Sequence, residues 1–301
     1  MIDLFYSNMK LSNDPFVPLK SHRRSELYYL QFLMGVVKLP IFILIFSLSF
    51  IQYTLISLIP SVSIRRTITR LYSFCFFKVM LVLLGESNVP LKPTALIQNY
   101  FEEEENIRPN AGDIIISNCV SYISLFWYQY VLSPLFVITS GPDYVVCKSF
   151  FPILGDIFAG RKINHGKRIK LSAAIKIAKK NQQPIVIFPE ETFTNGKYVI
   201  KFTDFTKKLT FDGKIFIYGI SHSIGVMSPC CFDSNICLHI IMMLGRFGTS
   251  MHVFSALPQD IPKLDDQLIE NSRTIMATIL RIPTSNFSAA DKAEFYKNNT
   301  D

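Results

Sequence analysis

Two polar turns stand at the ends of buried apolar strands, and their side chains are of types that bind ligands or move protons. The first turn is 117–126 (SNCVSYISLF), and the second is 188–196 (FPEETFTNG). The second turn offers the carboxylate of Glu190, two threonine hydroxyls and a tight Asn-Gly turn followed by Lys197. Because α/β sheets place ligand-binding groups at the carboxyl ends of their strands, the two turns predict a site. The alternative is a pair of ordinary surface turns.

A sheet and its covering helices must position these turns. After residue 87, short β-branched runs alternate with helical stretches, which is typical of an α/β fold with a largely parallel or mixed sheet. We predict this domain over 87–301, with Ser288 as the N-cap of a last helix that docks back on it. The predicted strands are 113–117, 136–140, 144–147, 185–188, 214–221 and 238–244, and the predicted helices are 91–106, 122–131, 170–181 and 265–280.

The region 1–86 is predicted to be a membrane-anchoring helical region. Residues 39–59 form a near-continuous apolar stretch between Lys38 and Arg65, long enough to span a hydrocarbon core of ~30 Å. A second apolar run covers 71–85. Three interpretations are open: a spanning helix followed by an interfacial helix, a hairpin that dips into one leaflet, or a buried helical pair in a globular protein.

The composition excludes several classes of protein. The chain has 301 residues, 49% of them hydrophobic and only 18% charged, which argues against a disordered chain and against an ordinary soluble monomer. Six cysteines without a CxxC pair exclude a disulfide-dense scaffold and the common zinc ribbons. No metal site is predicted, because tetrahedral spacing is absent from Cys230, Cys231, Cys237, His239 and His252.

The net charge of +8 points to a membrane surface rather than to nucleic acid. In the first 86 residues the basic side chains flank the apolar runs, where they would meet anionic lipid head groups. A second basic cluster lies within 161–180, which contains no acidic residue. No nucleic-acid-binding motif accompanies either group, so membrane lipid is the expected partner and nucleic acid is not.

The ordered set of motifs resembles the glycerophospholipid acyltransferase family, which includes the lysophosphatidate acyltransferases. That family shows N-H-x4-D after one strand and F-P-E-G-T-R-S after another; here 118–124 reads NCVSYIS and 188–194 reads FPEETFT. Between them, Lys148 and 151–155 (FPILG) look like the family's K…P-x-x-G block. The resemblance covers about 90–280, and it is closest in look to the fungal lysophosphatidic acid:oleoyl-CoA acyltransferase-like branch.

The resemblance implies a glycerolipid acyltransferase-type αβ domain with a mixed sheet, preceded by an N-terminal membrane-embedded helical hairpin. It implies acyl transfer from acyl-CoA, with oleoyl-CoA preferred, to lysophosphatidic acid. The product would be phosphatidic acid for phospholipid and triacylglycerol synthesis. No cofactor is expected beyond acyl-CoA as co-substrate. The expected location is the endoplasmic reticulum membrane or the lipid droplet, with the catalytic domain in the cytosol.

Four positions depart from the family motifs. Cys119 stands at the histidine position and Ser124 at the aspartate position of the first motif. In the family, that histidine is the general base and that aspartate orients it. Glu191 stands at the glycine position and Phe193 at the arginine position of the second motif. A thiol with a reference pKa near ~8.5 cannot directly imitate a poised imidazole.

Three explanations of these departures are open. Cys119 could act as a weak base or a transient acyl carrier, if Lys148 or the cluster 161–168 depresses the pKa of its thiol. Another histidine, His222 or His165, could take over as base. The chain could also be a catalytically inactive member that keeps the fold as a lipid-binding or scaffold protein on the endoplasmic reticulum or lipid droplets.

The resemblance also assigns site residues. The expected catalytic residues are Cys119, Ser124 and Glu190, and the expected substrate-binding residues are Asn118, Lys148, Arg161, Thr192 and Lys197. An acyl chain needs an apolar channel, for which four aromatic residues are candidates, with packing in the core as the alternative. These are Phe126, Trp127, Phe150 and Phe151.

Overall fold

The computed structural model describes residues 15–16, 25–94, 108–141, 143–159, 163–205, 211–223, 228, 236–248, 250–262, 267–292 and 294. The helices are α1 (Ser25–Ser57), α2 (Val62–Leu83), α3 (Tyr122–Val131), α4 (Phe150–Phe158), α5 (Leu171–Lys180), α6 (Ile236–Leu244) and α7 (Leu268–Leu280). The strands are β1 (Leu91–Thr94), β2 (Ile114–Ser117), β3 (Leu135–Thr139), β4 (Tyr144–Lys148), β5 (Arg168–Lys170), β6 (Ile185–Phe188), β7 (Ile215–His222) and β8 (Met251–Ala256).

The strands form one mixed sheet of eight, in the order β1-β8-β7-β2-β6-β3-β4-β5. Its centre, β7-β2-β6-β3, is parallel. The pairs β7–β8, β3–β4 and β4–β5 are antiparallel, and β1 runs parallel to β8 at one edge. The predicted mixed α/β architecture is confirmed. The central strands are apolar on both faces, as expected for parallel strands covered by helices on both sides.

Helices cover both faces of the sheet, which gives two apolar layers. Alternate residues of β2 enter different layers: Ile115 belongs to the core layer that includes residues of α2, α3, α4 and α6, whereas Ile114 and Ile116 belong to the layer that includes residues of α5 and α7. This alternation follows from the two-residue period of a strand. The carboxyl ends of β7, β2 and β6 therefore lie side by side at one edge of a three-layer sandwich.

Helices α1 and α2 form an antiparallel hairpin that contains both predicted apolar runs. The Tyr72 hydroxyl of α2 donates to the Ser49 carbonyl of α1 at 2.7 Å, and the Ser61 side chain caps α2. Within the described residues one helix, Glu26–Ser57, is long and apolar enough to cross a membrane by length and composition. These properties fit a membrane anchor and a signal sequence alike. Much of its outward face is exposed and apolar, including Leu33, Leu44 and Leu55.

The hairpin packs along the α/β part of the molecule. The Gln31 side chain donates to the Met242 carbonyl of α6 at 2.6 Å, and Phe46, Phe50 and Tyr53 contact the ring of Phe151. At Gly35 an added Cβ would lie 1.9 Å from the Ile241 carbonyl oxygen, so only glycine allows this approach of α1 to α6. On α1, Gln31 and Tyr53 are separated by about 33 Å of helix rise.

The first turns of α2 are anchored directly before β3, at the amino end of that strand. The Arg66 guanidinium donates to the carbonyls of Leu132 and Ser133 at 2.8 and 2.7 Å. These carbonyls end α3, and the negative end of a helix favours a cation. The apolar core is consequently continuous from the hairpin into the α/β layers.

Two predicted elements were wrong, and several were missed. Residues 238–244 were predicted to be a strand but belong to helix α6, because a short apolar run fits either structure until its packing against α1 selects one. Of the predicted helix 91–106, Leu91–Thr94 is instead the edge strand β1, where Pro93 is tolerated, and 95–106 lies outside the described residues. Helix α4 and strands β5 and β8 were missed.

Candidate active site

The loop after β2 begins with a side chain that extends the sheet. The Asn118 amide donates from Nδ2 to the Ile220 carbonyl at 2.8 Å and accepts from the Ile220 amide at 2.8 Å. It thus replaces a backbone pairing between β2 and β7 after the strand has ended. Asn118, predicted to bind substrate, is buried and its side chain is committed to this pairing.

The loop after β6 contacts the loop after β2 directly. The Glu190 carboxylate accepts from the Cys119 amide at 2.8 Å and, through its other oxygen, from the Ile200 amide at 3.3 Å. The Thr194 amide donates to the Cys119 carbonyl at 3.1 Å. The two predicted turns are therefore one structural unit, because β2 and β6 are parallel neighbours whose carboxyl ends meet.

Glu190 lies in surroundings that disfavour its charge. Burial raises the pKa of Glu190 to about 8, although the two backbone donors and the cations Arg273 and Lys292 act in the opposite direction. The Arg273 side chain also donates to the Ile200 carbonyl at 3.0 Å, which closes the loop from the side of α7. Burial therefore favours the neutral carboxylic acid of Glu190 over the carboxylate at neutral pH.

The residue at the glycine position of the second motif keeps a glycine-like backbone. Glu191 has φ 56°, in the left-handed region. Its carboxylate accepts from the Gly141 amide at 3.4 Å and from the Asn164 side chain at 3.3 Å. These contacts stabilise a conformation that carries strain in a residue with a Cβ.

The surroundings of Cys119 favour the thiol over the thiolate. Burial raises the pKa of Cys119 well above its ordinary value, and the neighbouring Glu190 carboxylate acts in the same direction. Lys148, predicted to bind substrate and to activate this thiol, is buried. Its ammonium pairs with Asp156 and donates to the Ile163 carbonyl at 2.8 Å. The cation acting to lower the pKa of Cys119 is instead Lys292.

Ser124, at the aspartate position, meets an imidazole from another strand. Its hydroxyl lies 3.3 Å from Nε2 of His222, at the end of β7. Burial lowers the pKa of His222 to about 3, with Arg246 and His252 acting in the same direction. The other predicted site residues differ in exposure: Thr192 is partly exposed, Lys197 is exposed, and Arg161 lies outside the described residues.

A cation from a short helical segment after α7, residues 289–292, reaches the second motif. Lys292 donates to the Phe193 carbonyl at 2.7 Å, and its ammonium lies 5.8 Å from the centre of the Phe16 ring. The segment begins after Ser288, as predicted, and the Asp291 carboxylate accepts from the Ser288 amide and hydroxyl at 2.6 Å each. Sequence reasoning foresaw the docking of the tail but missed Lys292, because nothing in the tail indicates which side chain faces the site.

The four candidate channel aromatics pack in the core. Phe126 and Phe150 contact each other with ring centroids 5.0 Å apart, and the Trp127 indole donates to the Val89 carbonyl at 3.1 Å. Phe151 is covered by α1. These four side chains therefore belong to the core and do not line a channel.

No metal centre is seen among the residues whose placement is described, since no group of three or more His, Cys, Asp or Glu side chains there could hold an ion. His239 is bound instead by the Tyr122 hydroxyl at 3.2 Å and the Ser228 carbonyl at 3.1 Å. Cys230 and Cys231 lie outside the described residues.

Comparisons with known proteins do not assign this site. No protein-family model, curated protein or solved structure matches the chain.

Proposed function

We propose that the protein transfers a fatty acyl group from acyl-CoA, with oleoyl-CoA preferred, to lysophosphatidic acid, forming phosphatidic acid. One observation carries the proposal: the two motif-bearing loops touch through the Cys119–Glu190 and Thr194–Cys119 bonds. Their ordered sequence resemblance to glycerophospholipid acyltransferases supports the same conclusion, as does the mixed sheet on which both loops lie. The α/β part would then be an acyltransferase-type domain.

An exposed cation on the second loop suits the phosphate of the acceptor. Lys197 is exposed after β6, and Lys292 lies beside the same loop. Lys180 is equally exposed but ends α5, which leads into the amino end of β6, at the far edge of the sheet. The two lysines form a matched pair, because they carry equal charge and differ in their distance from the proposed site.

The direct test is release of CoA by the purified protein in detergent micelles. We expect release from oleoyl-CoA that depends on lysophosphatidic acid. Lys197→Glu is expected to raise KM for lysophosphatidic acid roughly tenfold, as for one lost charge-assisted contact, whereas Lys180→Glu leaves it unchanged. Absence of release across several lysolipids would reject the enzymatic function.

The hairpin is the proposed membrane anchor, and its packing favours insertion into one leaflet over crossing. Contacts with the α/β part extend along α1 from Gln31 to Tyr53, so a bilayer around this length would also have to contain α4 and α6. The outward leucines of α1 are exposed and can enter the acyl-chain region. The proposed location is the cytosolic surface of the endoplasmic reticulum or of lipid droplets.

Membrane binding is expected to depend on that face. Leu33→Asp combined with Leu44→Asp should weaken binding to phosphatidylcholine–phosphatidylserine vesicles by more than tenfold, because two exposed apolar side chains are replaced by charges. Thr274→Asp with Thr278→Asp adds the same charge on the exposed side of α7 and should leave binding unchanged. Flotation on a density gradient measures both. Equal binding by the two double variants would contradict this assignment of the anchor.

The second candidate function is a catalytically inactive lipid-binding or scaffold protein. The observation favouring it is that the side chains of Asn118, Lys148 and Glu190 are engaged in structural contacts, while Cys119 is a buried thiol. In that case the wild type releases no CoA but binds vesicles. A gain of activity on combining Cys119→His with Ser124→Asp would identify a lapsed catalyst.

A further inference from the structure

An imidazole lies at the same sheet edge as the first motif, although the motif itself lacks one. Asn118 pairs with Ile220 on β7, and His222 follows two residues later on that strand. The ring therefore projects near the start of α3, where its Nε2 lies 3.3 Å from the Ser124 hydroxyl. Parallel pairing of β2 with β7 produces this proximity.

The second nitrogen of this ring lacks a hydrogen-bond partner within the described residues. Nδ1 of His222 is buried and has no hydrogen-bond partner within the described part of the chain, while the residue as a whole is partly exposed. A buried polar atom without a partner costs about 1–3 kcal/mol, so native structures rarely leave one unsatisfied. A hydroxyl group entering the site would supply the missing partner.

Burial keeps the imidazole neutral in the unliganded protein, so its lone pair is free. Burial is the main cause of the lowered pKa of His222, and the charged or titratable groups Arg246 and His252 act in the same direction. The imidazole is therefore neutral at neutral pH and can accept a proton. An anionic head group bound near Arg246 would offset the positive field and make the imidazole a stronger base.

We propose that His222, oriented by Ser124, is the general base of the acyl transfer, in place of Cys119. With the Nε2 hydrogen donated to the Ser124 oxygen, Nδ1 accepts the proton of the acceptor hydroxyl as that oxygen attacks the thioester carbonyl. The carbon–sulfur bond then breaks, and the leaving CoA sulfur takes the proton from the imidazolium. The net change is one ester and one free thiol from one alcohol and one thioester. This inference rests on the proposed acyl transfer.

The experiment compares three variants with the wild type in the CoA-release assay. His222→Gln is expected to lower kcat/KM for lysophosphatidic acid at least 100-fold, in line with the loss of a general base. Cys119→Ala should lower kcat/KM far less than His222→Gln does, since in this mechanism the thiol takes no part in proton transfer. His165→Gln, on the exposed basic loop, is the matched histidine control and should be unchanged.

A variant of Ser124 tests the proposal even if His222→Gln fails to fold. Ser124→Asp places a carboxylate against the imidazole, so the acid limb of the pH–kcat/KM profile should move to higher pH. An unmoved limb would contradict the proposal. Retained activity in folded His222→Gln, or its loss in Cys119→Ala, would also overturn it while leaving acyl transfer intact. A wild type that releases no CoA would instead reject the proposed function itself.

Discussion

Replacement of Glu190 by alanine is expected to lower the free energy of unfolding by roughly 3–5 kcal/mol. The substitution leaves the buried amides of Cys119 and Ile200 without an acceptor, and each unsatisfied donor costs about 1–3 kcal/mol. It also removes one of the two hydrogen bonds that join the loops, leaving the bond from the Thr194 amide to the Cys119 carbonyl. Chemical denaturation in detergent micelles measures the change.

Glu190→Gln isolates the contribution of the carboxyl charge. The folded-state pKa of about 8 lies above the ordinary value of 4.5, so between these pH values the folded protein binds more protons than the unfolded chain. The free energy of unfolding of the wild type should therefore fall as pH rises from about 4.5 to 8. The slope approaches about 1.4 kcal/mol per pH unit within that window. Glu190→Gln should remove this contribution.

Two results would contradict this account of Glu190. One is an alanine variant as stable as the wild type, which would mean that the two amides find other acceptors. The other is an identical pH dependence of the wild type and of Glu190→Gln between pH 5 and 8. The second result would place the titration on a different group.

Replacement of Glu86 by alanine is expected to have a similar effect at the junction of the hairpin and the sheet. Glu86 follows α2 and is only 1% exposed. Its carboxylate accepts from the amides of Ser250 and Met251 at 2.9 and 3.0 Å and from the Ser250 hydroxyl. Loss of this acceptor leaves two buried amides at the start of β8 without a hydrogen-bond partner. We therefore expect a decrease of roughly 3–5 kcal/mol in the free energy of unfolding.

The measurement for Glu86 should separate unfolding of the hairpin from unfolding of the whole protein. Limited proteolysis should cut Glu86→Ala near residue 87 faster than the wild type, in parallel with the lower stability. Asp212→Ala removes an exposed carboxylate that pairs only with Lys179 in the described structure, and it should leave the melting temperature unchanged. Equal losses in both variants would show that the effect of Glu86→Ala comes from charge removal in general.

Local sequence patterns were sufficient for most of the central sheet. The β-branched runs at 113–117 and 185–188 are short, apolar and bounded by polar turns, which is typical of buried strands. Strands β2 and β6 were therefore predicted almost to the residue. Helix α3 was predicted with its observed bounds, and in the structure the Ser121 side chain caps it. The short apolar run of α6 lacked such a boundary signal and was misread, because only its packing against α1 makes it a helix.

The candidate site was predictable in its backbone and unpredictable in its side chains. Turns at the ends of neighbouring parallel strands had to approach each other, which brought Cys119 and Glu190 together. Lys148 was expected to face the substrate, but Asp156 of the next helix binds its ammonium. An ion pair eight residues apart depends on how β4 and α4 cross, and this angle has no signature in the sequence.

The sequence by itself determined that a long apolar helix precedes a mixed α/β sheet and that polar turns end its central strands. It did so because hydrophobic periodicity and turn chemistry act over a few residues. Only the tertiary structure decided that the hairpin packs along the sheet's helices, that Glu190 joins two loops, and that His222 rather than position 119 presents an imidazole to Ser124. Contacts between residues about 100 positions apart depend on strand order and register, which arise when the whole sheet assembles.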